Sequence, residues 1–229
     1  LPVAVLLNPV VAMAILAASF AMGTFIGLSI MVPLYFQLVL GLTASGAGLA
    51  LIPFAAGVMT GATLAGRLMM HLRHYRRPAL IGLAVAILGL LLLALEAGRL
   101  GLLAVELVTA AVGMGVGTVL PVTTVAAQNA VALHELGTAT GVLNFFRSLG
   151  GAIAVALFGA ILLGGLGVEA GGLELVASLG AGAGPLVAPV FGHVFAVAAL
   201  GLAIGAVALA RMAERPLRTS VGPSHVTPE

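Results

Sequence analysis

The chain has 229 residues, of which 62% are hydrophobic and only 16 are charged, nine basic and seven acidic. With a mean hydropathy of +1.26, it is too apolar for a surface that meets water, so a soluble globular fold is excluded and lipid must cover much of the outside. Cysteine is absent and the five histidines are scattered, which removes disulfide and thiolate chemistry and gives no metal-site spacing.

Apolar stretches long enough to cross a bilayer are expected at Val10 to Leu40, Ala47 to Met70, Pro78 to Leu95, Leu100 to Ala127, Ala139 to Leu163 and Val187 to Ala210. Each is near the length a helix needs to span hydrocarbon, and strand-type alternation is absent, so an all-α membrane bundle is favoured over a β-barrel. The chain opens on Leu1 and Pro2, with neither an initiator methionine nor a signal-like leader, and a preceding segment is expected. Between the first two spans, Gly41 is a helix stop and Thr43 or Ser45 a helix cap, which predicts a tight helical hairpin. Residues 1–213 form the bundle in this reading, with Gly164 to Pro185 as the longest loop, and 214–229 are a polar tail expected to be disordered.

Arginine sets the orientation. If the N-terminus is cytoplasmic, alternate connections place Arg67, Arg73, Arg76, Arg77, Arg147, Arg211, Arg215 and Arg218 at or near the inner face and leave Arg99 alone outside. The positive-inside rule therefore predicts that both termini are cytoplasmic. The run from Arg73 to Arg77 reads as a headgroup anchor, and nothing in so few basic loops points to nucleic acid.

In lipid, helices associate through close packing at small residues and a few interhelical hydrogen bonds. The pairs Gly57/Gly61, Gly113/Gly117, Gly137/Gly141 and Gly201/Gly205 each have the four-residue spacing that exposes a flat face, and Gly151 and Gly159 share a face. Pro33 and Pro121 fall at matching depths in the first and fourth spans. Two inverted repeats of three helices would place them equivalently, and paired proline-interrupted helices point towards a transport pathway.

Polar residues inside spans are costly and hence candidates for function. Glu106 lies seven residues after Arg99 and reads either as an interfacial ion pair with it or as a protonatable carboxylate. Glu96 and Arg99 are expected to be solvated. Arg147, with Asn144 on the same face and Phe145 and Phe146 beside it, either locks onto carbonyls ending a neighbouring helix or binds an anionic group. Tyr35 and Gln37, just past Pro33, line a cavity or mark an interface, and Phe54 beside Pro53 is a packing residue or a cavity contact. No nucleophile with a base, no paired carboxylates and no metal cluster can be assembled, which argues against an enzyme.

The stretch from Gly113 to Leu162, with QNAV at Gln128, GTATG at Gly137 and FFRSLGGA at Phe145, resembles the C-terminal half of major facilitator drug exporters of the fourteen-helix EmrB/QacA class. Agreement extends upstream through NPV at Asn8, PLYFQ at Pro33, SGAGLALIP at Ser45 and GRL at Gly66. The resemblance implies a six-helix bundle in the bacterial cytoplasmic membrane, with the first, second, fourth and fifth helices nearest a central cavity. It implies a proton gradient as energy source, no cofactor, an amphiphilic small-molecule substrate, and an N-terminal six- or eight-helix half as partner. After GRL the family often carries an acid that fastens the inner gate, whereas this chain has Met70, His71 and Arg73, which puts that contact in doubt. The expected function is the C-terminal half of a multidrug or amphiphile exporter. The alternative is an inactive truncated fragment.

Overall fold

The computed structural model describes residues 6–71, 76–167 and 184–213. Six helices in it are long and apolar enough to cross a membrane, and no strand occurs among the described residues. The chain is a multi-pass, all-α membrane protein.

Helix α1 (Pro9–Leu38) begins at Asn8, whose side chain accepts from the Val10 N–H at 3.0 Å, with proline in the first turn where its missing N–H costs nothing. Gly41 at φ 70° turns the chain, and Thr43 caps the next helix by accepting from Gly46 N–H at 3.2 Å. The second span is built from α2 (Ala44–Ala50) and α3 (Ile52–His71). They part at Leu51 because Pro53 has no N–H for the carbonyl four residues back. Helix α4 (Arg76–Leu95) turns at Gly98, φ 81°, into α5 (Leu102–Asn129). A short 3-10 turn (Leu133–Glu135) leads to α6 (Leu136–Gly165), and α7 (Gly184–Arg211) closes the bundle. The expected outer loop falls mostly at 168–183 and the expected tail at 214–229, both outside the described residues.

The packing has a repeat in it. α3 packs on α5 and α6 on α1; α4 packs on α5 and α7 on α1; α4 packs on α7, and α1 on α5. Exchanging the first three spans for the last three leaves that pattern unchanged, which is the signature of a three-plus-three arrangement. Helices α1 and α5 occupy the centre, and Pro33 and Pro121 lie one in each. A third helix-internal proline, Pro189 in α7, has no counterpart in the sequence reading.

Glycine mediates the contacts. Gly57 and Gly61 lie against Ala110 and Met114, and Gly113 and Gly117 against Phe54 and Val58, so that a Cβ on any of the four would strike a carbonyl oxygen. Gly201 and Gly205 receive Phe20, and Gly151 meets Ile26. Gly137, Gly141 and Gly159 meet nothing within 4 Å; their faces are open.

Candidate functional site

The exposed surface has two characters. Along α4 it is bulky and aliphatic, with Ile81, Val85, Leu88, Leu91, Leu92 and Leu95 all outward. Along α3 and α6 it is mixed: Thr60, Thr63, Gly137, Gly141, Asn144 and Ser148 are exposed among large apolar residues such as Met59, Leu64, Phe145 and Ile153. Lipid suits the first surface; the second holds groups that gain from a polar neighbour.

Where that mixed surface meets α5, Arg147 reaches across the seam. Its Nη2 donates to Leu120 O at 2.7 Å and to the hydroxyls of Thr123 and Thr124, both at 2.9 Å. Its Nη1 approaches Asn144 Oδ1 at 3.4 Å, and the buried Nε has no hydrogen-bond partner. The acceptors are not the carbonyls ending a helix, as the sequence suggested. They belong to a turn inside α5, one residue from Pro121, where local bonding is already crowded: both Thr123 and Thr124 hydroxyls also donate to Leu120 O, at 3.2 and 2.8 Å. Threonines that bond back to the helix bend it, and proline weakens the same turn. Arg147 therefore grips α5 at its most deformable point.

The grip lies well inside α6, not at its first turn. Because α6 starts at Leu136, Arg147 lies eleven residues in, about 16 Å along the axis at a rise of 1.5 Å per residue. Gln128 Nε2 adds a second bridge between α5 and α6, to Thr140 Oγ1 at 3.1 Å.

Three further ties gather at the same end of the bundle. Asn8 Nδ2 donates to Ala130 O at 2.9 Å, joining the start of α1 to the end of α5. Ser19 Oγ donates to Phe146 O at 3.1 Å, joining α1 to α6. Arg76 Nη1 donates to Ala210 O and Met212 O at 2.8 and 2.6 Å, capping the orphan carbonyls of α7. The sequence reading gave Arg76 to headgroups; its work in the bundle is instead to hold the last helix. The only sequence signal for any of these was Asn8, through its cap position before Pro9.

Residues 2–155 match the family model for the Major Facilitator Superfamily. The chain belongs to this superfamily. It is 34% identical over 144 residues to the MFS-type transporter ppz2 of Metarhizium majus, covering 62% of this chain and 25% of that protein. It is 29% identical over 137 residues to a tetracycline resistance determinant of Streptomyces rimosus, covering 59% of this chain and 40% of the relative. Against the multidrug transporter protein MdtP of Bacillus subtilis it is 33% identical over 122 residues, 52% of this chain and 22% of the other. The chain thus spans well under half the length of these curated relatives. The superfamily match takes in α1 to α5 and most of α6, including the Pro121 turn and Arg147.

Other candidate residues of this superfamily bundle fall elsewhere than expected. Tyr35 is only 1% exposed; it packs edge-on against Phe191 and Phe195, at ring distances of 5.4 and 5.6 Å, and its hydroxyl accepts from Gly98 N–H at 3.0 Å. It knots α1 to α7 and the α4–α5 turn. Phe54 is also 1% exposed and stacks on Phe25 at 5.9 Å, because Gly113 opposite leaves it room; it too is packing. Gln37 is half-buried and folds back onto Pro33 O at 3.3 Å. Asn144 and Phe145 do stand on the open face of α6.

Arg99 pairs with Glu96 at 3.7 Å, not with Glu106. Gly98 and Gly101 put Arg99 in a turn before α5, so the seven-residue helical relation to Glu106 does not exist. Glu106 is half-buried in the first turns of α5 and makes no ion pair or side-chain hydrogen bond among the described residues. Two recesses remain: an apolar one of about 620 Å³ among α1, α6 and α7, and a more polar one of about 740 Å³ at the Gly98 end, bordered by Arg99 and His193.

Proposed function

We propose that this chain is the C-terminal six-helix bundle of a proton-coupled exporter of drugs or amphiphiles, of the fourteen-helix EmrB/QacA class, in a bacterial inner membrane. The observation that carries the reading is the contrast between the wholly aliphatic outside of α4 and the amphipathic outside of α3 and α6, where Thr60, Thr63, Asn144 and Ser148 are exposed among apolar side chains. A bundle surrounded only by lipid has no use for the second face. A facing N-terminal bundle of six or eight helices would cover its rim and leave a shared cavity between, with Asn144 and Phe145 on its wall. The names of the multidrug and tetracycline relatives support drugs or amphiphiles as the cargo, and their greater length supports a missing partner bundle.

In this reading Arg147 is the lock and Pro33 and Pro121 are the points at which the two central helices bend as the cavity opens and closes. Glu106, half-buried in α5 with no ion-pair partner among the described residues, is the protonatable group of this bundle. Arginines concentrate at the end holding Asn8 and Arg211, which supports cytoplasmic termini by the positive-inside rule.

The test is complementation. Vesicles holding only this chain should show no proton-dependent efflux of a fluorescent cationic dye, and co-reconstitution with a first-half bundle of the same class should restore it. Efflux by the lone chain would overturn the half-transporter reading, and failure of every first half would favour an inactive fragment.

A further inference from the structure

A guanidinium carries a charge as well as five N–H groups, and at Arg147 only part of that is accounted for. The three short contacts from Nη2 go to a neutral carbonyl and two neutral hydroxyls. Hydrogen bonds to neutral groups satisfy donors and do not cancel charge. The described residues hold three carboxylates, Glu96, Glu106 and Glu135. The first two belong to the opposite end of the bundle, and Glu135 is spent on the backbone N–H of Ala132 at 3.2 Å. Among the described residues, Arg147 has no ion-pair partner. A cation about 16 Å along a membrane helix without a counter-charge is costly enough to mark a site.

The unspent donors face one way. Nη2 is consumed by α5 and Nε is buried, which leaves Nη1, whose one contact is the long 3.4 Å approach to Asn144. Asn144 is exposed, and Ser148, one turn further along the same face, is exposed as well. A guanidinium edge and an amide thus meet at the exposed side of α6, with the Ser148 hydroxyl one turn along the same face. That trio suits oxygen atoms sharing a negative charge.

We infer that the Arg147–Asn144–Ser148 edge binds the oxyanion of an amphiphile, a phosphate or carboxylate head whose charge completes the site. The lock and the ligand use different nitrogens of the same guanidinium, so gripping α5 and binding the anion are compatible. The inference stands on the bundle alone and does not depend on whether the chain transports.

Native mass spectrometry of the whole chain, released from dodecyl maltoside micelles, tests it with dodecyl phosphate as probe. Wild-type protein should retain the probe at about tenfold higher affinity than Arg147→Gln, the loss expected for a charge-assisted contact, with retention of the neutral detergent unchanged. Because Arg147→Gln also loosens α5, Asn144→Asp is the deciding variant: it keeps the α5 grip, places a counter-charge beside Nη1, and should abolish probe binding while raising thermal stability. Equal binding by wild type and Asn144→Asp would overturn the inference. Competition by inorganic phosphate would identify a free anion as sufficient, whereas competition by phosphatidylglycerol but not phosphatidylcholine would identify a lipid headgroup; both support the site.

Discussion

The α3–α5 and α1–α6 seams are equivalent by the exchange of repeats, yet they are closed differently. In the first, four glycines let backbone meet backbone with no room for a methyl group. In the second, backbone meets backbone only where Gly150 crosses Ser19 and Gly23; beyond that crossing Gly151 faces the tip of Ile26 and Gly27 the ring of Phe158, and an apolar recess bordered by Phe20, Phe146 and Phe158 lies alongside. Backbone contact cannot give way without moving a whole helix, whereas side chains can rotate. One repeat is thus welded along its seam, whereas the other is pinned at one backbone crossing and rests on side chains beyond it.

The largest expected effect comes from applying one substitution to both seams. Gly61→Ala drives a Cβ into the Met114 carbonyl and should cost about 3 kcal/mol, the upper range for overpacking, read as a fall in the unfolding midpoint in detergent. Gly151→Ala meets only the end of Ile26 and should cost less than about 1 kcal/mol. Equal losses would erase the distinction between the seams. Next, Arg147→Gln should cost about 2 kcal/mol, the range for a hydrogen bond to a charged group, with hydrogen exchange rising first around Pro121. Asn8→Ala removes a cap and the tie to Ala130, and should cost about 1 kcal/mol. Smallest of all, Gly137→Ala and Gly141→Ala should leave the lone bundle unchanged to within about 0.5 kcal/mol, since both face open space; in a restored two-bundle protein they should lower transport, which would show that this face meets the partner.

Sequence made some of this plain and concealed the rest for a physical reason. Six spans, the Gly41 turn, the Thr43 cap and the pairs Gly57/Gly61 and Gly113/Gly117 could be read because length, turn chemistry and helical spacing are local properties. Packing was among the readings open for Phe54, but the burial of Tyr35 could not be read, because both faces of a membrane helix are apolar and the alternation that marks a buried face in water is missing. Arg147 was recognisable as an expensive residue, but its acceptors lie in another helix, selected by the fold. The same holds for Arg76, whose carbonyl partners sit at the far end of the chain. Glu106 misled because helical spacing was counted through a glycine turn.

The central place of α1 sets the timetable of assembly. It leaves the ribosome before the other helices of this bundle, yet it packs against α5, α6 and α7, and its ties run from Asn8 to Ala130 and from Ser19 to Phe146. Contacts so distant in sequence form late, and the surfaces that make them stay uncovered meanwhile. During synthesis α1 must wait in the membrane with Gly23, Gly27 and Ser19 facing lipid or an insertase until α6 arrives. A chain that stops before α7 would uncover the faces of α1 and α4 that pack on it, and those two helices should be the first degraded.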